Sequence, residues 1–255
     1  MTIREKAALA EKAARAAGDM LRHCGSFKVK RKSENDFVTE MDFKSESLIR
    51  DILLGACPED QFFGEETGGA AKACGRWIVD PIDGTANFMR GETEYSISIA
   101  YEHDGELVIG CVFCPVFDEV FLAVRGEGAT CNGQPIHVSG TNNPRDALVH
   151  MGFGHRNPAL LRRTLAVFPA LISAVSDVRR SGSAAYDLCC VASGRCEAFV
   201  ERSLSLYDYA AGYVILTEAG GRMTGWEDGE DAIATGNLIA SNGLVHGDLE
   251  RLLRG

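Results

Sequence analysis

Hydrophobic positions recur at helical spacing over the first twenty residues. Ile3, Ala7, Ala10, Ala14, Ala17 and Leu21 share one face, with Glu5, Lys6, Glu11, Lys12 and Arg15 between them. The spacing predicts an amphipathic helix ending near Gly25. The stretch that follows, KVKRKSENDFVTEMD, is polar and reads either as a solvated loop or as a flap drawn to a bound anion by Lys28, Lys30, Arg31 and Lys32. A second helix is expected from about Asp42 to Leu54, with Phe43, Ser47, Leu48, Ile52 and Leu53 on its apolar side. From Gln61 the pattern changes to short apolar runs bounded by Gly, Pro and acidic residues. QFFGEE, RWIVDP, YSISIAYE, LVIGCVF and EVFLAVR read as strands, HDGE as a hairpin turn, and GEGATCNGQPI as a further turn-rich pair.

After Asn142-Asn143-Pro144 strands and helices alternate. ALVHMGF, SDVRR, CEAFVE and NLIASN are expected strands; PALLRRTLAVF, AAYDLCCVASG and YDYAAGYVILTEAGG are expected helices, and a final helix ends the chain. Pro158 suits a first helical turn and Gly220-Gly221 a helix stop. The chain is therefore expected to be a mixed α+β protein of two halves, 1–143 and 144–255, sharing one compact core.

Composition narrows the class. With 255 residues, 45% of them hydrophobic and 24% charged, the chain is an ordinary globular protein rather than a disordered or collagen-like one. Acidic residues outnumber basic ones by 36 to 26, a net charge of −10, which argues against sequence-independent nucleic-acid binding. An anionic substrate stays open, because bound divalent cations invert the local field. No apolar run reaches the roughly 18 residues of a membrane-spanning helix. The N-terminus is charged and alanine-rich, without the apolar centre of a secretion signal. A soluble, cytoplasmic protein is expected. The nine cysteines are irregularly spaced; their one C-x-x-C pair, Cys111 and Cys114, lies in an apolar run with no second metal-binding pair. They read as packed core thiols in a reducing compartment.

The chemistry concentrates in WIVDPIDGTANF, Trp77 to Phe88. Asp80 and Asp83 stand three residues apart at the end of an apolar run. Pro81 fixes the backbone between them, leaving the Ile82 carbonyl directed inward. Gly84 permits close approach to a ligand, and the amides of Gly84 and Thr85 can bind an anion. Hard oxygen ligands beside amide donors suit Mg²⁺ and phosphate together. Taken alone, the string could equally be a strand and turn with two capping aspartates. Two further acidic elements accompany it: Gly64-Glu65-Glu66-Thr67 after an apolar strand, and Tyr207-Asp208 at a helix start, where an aspartate can also be an N-cap.

G-E-E, then W-I-V-D-P-I-D-G-T-A-N-F, G-S-A-A and Y-D-Y-A-A-G…E-A-G-G resemble, in order and over most of the chain, the inositol monophosphatase family of lithium-sensitive, magnesium-dependent phosphatases. The resemblance implies a layered α-β-α-β-α sandwich, assembled as a homodimer, with two or three Mg²⁺ per site. It implies that Glu65, rather than Glu66, binds metal and orients water. Asp80, the Ile82 carbonyl, Asp83 and Asp208 are the remaining implied metal ligands. Thr85, bonded toward Glu65 or Asp42, is implied as the water-positioning hydroxyl, and Gly84 and Thr85 supply phosphate-binding amides. Asp42 and Lys32 match a mobile metal-binding loop, with Lys32 near a third metal. Gly182, Ser183, Ala184 and Glu201 match contacts to a polyol. Tyr207 replaces a common tryptophan, and Glu92 and Glu94 make MRGETEYSIS more acidic than in many relatives.

The function implied is hydrolysis of a small phosphate ester, inositol monophosphate first, by attack of metal-activated water. Fructose 1,6-bisphosphate, histidinol phosphate and 3′-phosphoadenosine 5′-phosphate are the alternatives. From a different class, the chain could be a non-catalytic, metal-dependent sugar-phosphate binder. No G-x-S-x-G, H-E-x-x-H or P-loop string occurs, which disfavours serine hydrolases, zinc proteases and P-loop nucleotide hydrolases.

Overall fold

The computed structural model describes residues 1–33, 36–69, 74–154 and 157–254, with no account taken of the side chains at 32, 33 and 36. Helix α1 (Ile3–Arg22) opens with a capping box between Thr2 and Glu5 and stops before Gly25. Its buried face is mostly alanine (Ala7, Ala10, Ala13, Ala14, Ala17), which lets the helix lie close on its neighbours. Part of the polar stretch forms a hairpin, β1 (Val29–Ser33) and β2 (Asp36–Thr39), instead of a loop throughout. Thr39 then caps α2 (Glu40–Ala56), which starts two residues earlier than expected because Asp42 completes a second capping box as its third residue.

The middle of the chain builds one large sheet from β3 (Gln61–Gly64), β4 (Gly68–Gly69), β5 (Gly75–Asp83), β6 (Ser96–His103), β7 (Glu106–Cys114), β8 (Glu119–Val124), β9 (Gly128–Cys131) and β10 (Gln134–Pro135), with the short helix α3 (Thr85–Arg90) between β5 and β6. Its order is β10-β9-β8-β7-β6-β5-β3-β4, antiparallel except for the parallel β3–β5 pair. The HDGE turn joins β6 to β7 through Asp104 and Gly105, both at positive φ, as a tight hairpin requires.

The second sheet is made of β11 (Leu148–Met151), β12 (Asp177–Arg179), β13 (Ala198–Glu201), β14 (Arg222–Thr224) and β15 (Leu238–Ser241), in the order β12-β11-β13-β15-β14. Between and after these strands come α4 (Pro158–Ala174), α5 (Ala184–Ala192), α6 (Leu206–Glu218), α7 (Ala232–Thr235) and α8 (His246–Arg254).

Alternation along the strands distributes side chains over three apolar cores. Trp77, Val79, Ile97, Ile99 and Phe113 meet α1 and α2. Ile78, Ala100, Val112 and Phe121 face α5 and α6, which also cover Phe199 and Ala240 of the second sheet. Val149, Val200 and Ile239 on that sheet's far side pack against α4 and α8, around the fully buried Trp226. The layers are therefore α, β, α, β, α, the sandwich expected. The α5–α6 layer touches both sheets, so the central core joins residues from before and after position 143.

The cysteine reading needs correction. Cys57, Cys111, Cys114, Cys189, Cys190 and Cys196 are buried, but Cys24 and Cys131 are half-buried and Cys74, just before β5, is exposed. A buried polar cluster fastens α1 to the sheet: Lys6 pairs with Asp60 and donates to the Tyr101 hydroxyl at 2.6 Å. Asp60 also accepts from Tyr101 (2.9 Å) and from the Trp77 indole (3.1 Å). Among the described residues, no helix is long and apolar enough to cross a membrane.

Candidate active site

Pro81 and Ile82 do more than connect two aspartates. Asp80 pairs with Ser98 on β6, but Asp83 pairs with Ser96, so one extra residue is accommodated in β5. In a regular strand, residues three apart point to opposite faces; a bulge of one residue brings them back to the same side. Asp80 and Asp83 consequently converge, and Asp208, third residue of α6, joins them. One carboxylate oxygen from each lies within 4.8 Å of the others. Asp208 is held in place by the Ser205 amide, which donates to Oδ2 at 2.7 Å. It is thus not the N-cap of α6; Ser205 is.

Glu65 follows β3, and its amide bonds the Val79 carbonyl at 3.1 Å, continuing the parallel ladder and bringing it beside Asp80. The amide of the next residue, Glu66, donates to Glu46 Oε2 at 2.8 Å. Thr85 Oγ1 lies 3.1 Å from Asp42 Oδ1 and 3.0 Å from the Ile82 carbonyl. The structure thus selects Asp42 over Glu65 as its carboxylate partner. Asp42 is fully buried and accepts on its other oxygen from the Thr39 amide (2.7 Å) and hydroxyl (2.6 Å). Gly84 has φ +90°, which an L side chain rarely adopts, and caps α3.

A cavity of about 520 Å³ opens over this cluster. Glu65, Asp80, Ile82, Asp83, Gly84, Thr85 and Asp208 line it, together with Gly182, Ala184 and Glu201. Ser183 lies elsewhere. It is buried, and its hydroxyl donates to Asp83 Oδ2 at 2.6 Å beside the Ala185 amide at 2.7 Å. Its side chain thus supports an aspartate in place of facing the cavity. Lys32 belongs to β1, and its side chain lies outside the described residues. Phe37, from β2, lines the cavity.

Burial, then the charges of Glu65, Asp83 and Asp208, drives the Asp80 carboxyl well above its usual range. Burial and the charge of Asp83 do the same to Asp208. Burial pushes Asp83 up to about 7 in spite of the Ser183 and Ala185 hydrogen bonds. Among the described residues, no Lys or Arg forms an ion pair with these three aspartates. Converging oxygen donors without a protein counter-charge fit a hard divalent cation, and Mg²⁺ suits few carboxylates with room for water and substrate oxygens.

Sequence reading missed Asp187, His150, Gly152 and Gly154. Asp187, Gly152 and Gly154 line the cavity, and His150 pairs with Asp187 from outside it. The one available signal was an aspartate inside the otherwise apolar helix AAYDLCC.

The layered sandwich and the carboxylate cluster at the ends of its elements define a protein with a candidate site for divalent cations. The profile of the inositol monophosphatase family matches residues 3–254, and the chain belongs to that family. It is 36% identical over 243 residues to Nus factor SuhB of Haemophilus influenzae, covering 93% of this chain and 91% of the relative. It is 38% identical over 223 residues to inositol-1-monophosphatase of Rhizobium meliloti, covering 85% and 82%. The extragenic suppressor protein suhB of Bartonella henselae superposes with a TM-score of 0.93 at 36% identity, covering 98% of each chain. The inositol monophosphatase of Anabaena does so at 0.87 and 32%, covering 99% of this chain and 96% of that one.

Proposed function

We propose that this protein is a magnesium-dependent phosphomonoesterase acting on a small phosphorylated polyol, with inositol monophosphate as the leading substrate. The observation that carries the reading is the meeting of Asp80, Asp83 and Asp208 within 4.8 Å at a cavity that also holds Glu65 and Thr85. These aspartates, Glu65 and the Ile82 carbonyl would hold the ions. Bound magnesium supplies Lewis-acid activation of water and neutralises charge on the phosphoryl oxygens. Thr85 has one proton to donate, and Asp42 and the Ile82 carbonyl compete for it. Its lone pairs are thereby left to accept from the attacking water and orient it. Glu65, which also lines the cavity, would take that water's other proton. The amides of Gly84 and Thr85 receive phosphate oxygens, and Gly182, Ala184 and Glu201 border the space left for the alcohol. No phosphoenzyme is required.

The same reading includes a cytoplasmic homodimer, lithium inhibition, and one compact unit of halves 1–143 and 144–255. It takes neither nucleic acid nor membrane as a partner. A second reading rests on relatives called Nus factors: the site could serve ligand binding without turnover. Phosphate release from inositol 1-phosphate, fructose 1,6-bisphosphate, histidinol phosphate and 3′-phosphoadenosine 5′-phosphate, with Mg²⁺ or EDTA, separates them. Magnesium-dependent turnover that falls on the order of a thousandfold in Asp80→Asn supports the enzyme. Bound magnesium with no turnover on any ester favours the binding protein.

A further inference from the structure

At the end of β5 opposite to the aspartates, a thiol, an imidazole and a carboxylate meet on the rim of the large sheet. Cys74 directly precedes β5, and Gly75, the first residue of that strand, pairs with His103, the last of β6. The Asp104 amide donates to the Cys74 carbonyl at 2.8 Å, which ties the β6–β7 turn to the start of β5. The side chains follow the backbone. The Cys74 thiol donates to Asp104 Oδ1 at 3.1 Å, and His103 Nε2 lies 3.7 Å from Asp104 Oδ2. One donor atom from each of the three residues lies within 4.8 Å of the other two. The His103 ring stacks on Tyr101 with centroids 6.2 Å apart, and Tyr101 is itself buried and bonded to Lys6 and Asp60, so the imidazole rests on a fixed platform.

We propose that Cys74, His103 and Asp104 form a second metal site, which takes Zn²⁺ or another thiophilic divalent cation and leaves one coordination position to water. Bonds of about 2.3 Å to sulfur and about 2.0–2.2 Å to nitrogen or oxygen set tetrahedral ligands about 3.3–3.6 Å apart. The observed separations of 3.1 and 3.7 Å bracket that spacing, so small side-chain rotations suffice. Thiolate and imidazole favour zinc over magnesium, whereas the aspartate cluster offers oxygen alone. All three side chains are exposed, so a hydrated ion enters without opening the fold. On binding, the thiol proton passes to solvent and a sulfur–metal bond replaces the contact to Asp104. Among the described residues Cys57 also meets two carboxylates, Glu59 and Asp60, but Lys6 already neutralises Asp60 there. Asp80 lies ~20 Å along the strand from Cys74, so the second site is independent of the phosphatase reading.

The test titrates Co²⁺ into the reduced, EDTA-stripped full chain in excess Mg²⁺. Cobalt held by oxygen alone gives no thiolate charge-transfer band, so the near-ultraviolet band reports a cysteine ligand and not the aspartate cluster. The wild type should develop that band with a micromolar Kd and saturate at one equivalent, and Zn²⁺ should bleach it. Cys74→Ser abolishes the band, while His103→Ala and Asp104→Asn each weaken cobalt binding at least about tenfold. Cys57→Ser leaves it unchanged. Because the three ligands are exposed, circular dichroism of the variants should match the wild type. The proposal is overturned if the band is missing or needs millimolar cobalt, if it survives in Cys74→Ser, or if His103→Ala and Asp104→Asn bind cobalt as the wild type does.

Discussion

Replacing Gly110 by alanine inserts a methyl group between β7 and α6. A Cβ built there sits 3.0 Å from the Ala211 carbonyl carbon, 3.1 Å from Val214 Cβ, and well short of van der Waals contact distance from the Ala211 oxygen. Ordinary contacts begin near 3.4 Å, and the obstacle is helix backbone, not the tip of a flexible side chain. Relief therefore requires α6 to move off the sheet by about 1 Å, with a cost of about 1–3 kcal/mol in stability. Ala211 stands one turn after Asp208, so the displacement is felt by one of three carboxylates whose oxygens meet within 4.8 Å. A shift of that size costs on the order of a hundredfold in rate. Urea unfolding, magnesium titration and phosphate release measure the three consequences together. Gly55→Ala is the control: that position, exposed in α2 with nothing within 4 Å of the new Cβ, should gain up to about 1 kcal/mol and keep its activity. Wild-type stability and rate in Gly110→Ala would refute the claim that sheet–helix contact at this glycine sets the position of Asp208.

Two further expectations follow from buried charge. With folded-state values raised above 3.8, Asp80, Asp83 and Asp208 favour the folded state at low pH, and that contribution disappears as pH rises through the folded values. For Asp83, moving from 3.8 to about 7, the loss between pH 5 and pH 8 is about 3 kcal/mol in EDTA. Magnesium should restore it, and Asp83→Asn should make the profile shallower, with Asp80 and Asp208 still contributing; a metal-free profile already flat in the wild type contradicts the burial argument. Separately, Lys6→Met leaves Asp60 buried with only Tyr101 and Trp77 as donors, and should cost about 3–5 kcal/mol in denaturant titration. A loss below 1 kcal/mol would show that Asp60 is satisfied without its cation.

The local signals in this sequence were strong where one residue type decides the backbone. Apolar spacing marked α1, Asp104-Gly105 marked the β6–β7 turn, and Gly220, at φ +89°, marked the end of α6; in α2 the spacing found the helix but not its buried face, which is Met41, Asp42, Ser45, Glu46, Ile49 and Leu53, while Phe43 and Ser47 are exposed. The string Asp80-Pro81-Ile82-Asp83-Gly84-Thr85 and its companions identified the family and the residues of interest. Boundaries were less legible, because capping boxes at Thr39 and Ser205 begin α2 and α6 earlier than hydrophobicity alone suggests.

Only the tertiary structure could bring Asp208 to Asp80 and Asp83, across more than a hundred residues of chain, since that meeting depends on α6 packing over β5 to β7. The same packing chose Asp42 as the partner of Thr85, placed Ser183 beneath Asp83, and paired His150 with Asp187. A sequence records which residues can ionise or donate. Which of them lose water together, and therefore change one another's charge, is decided by the layers that exclude the solvent.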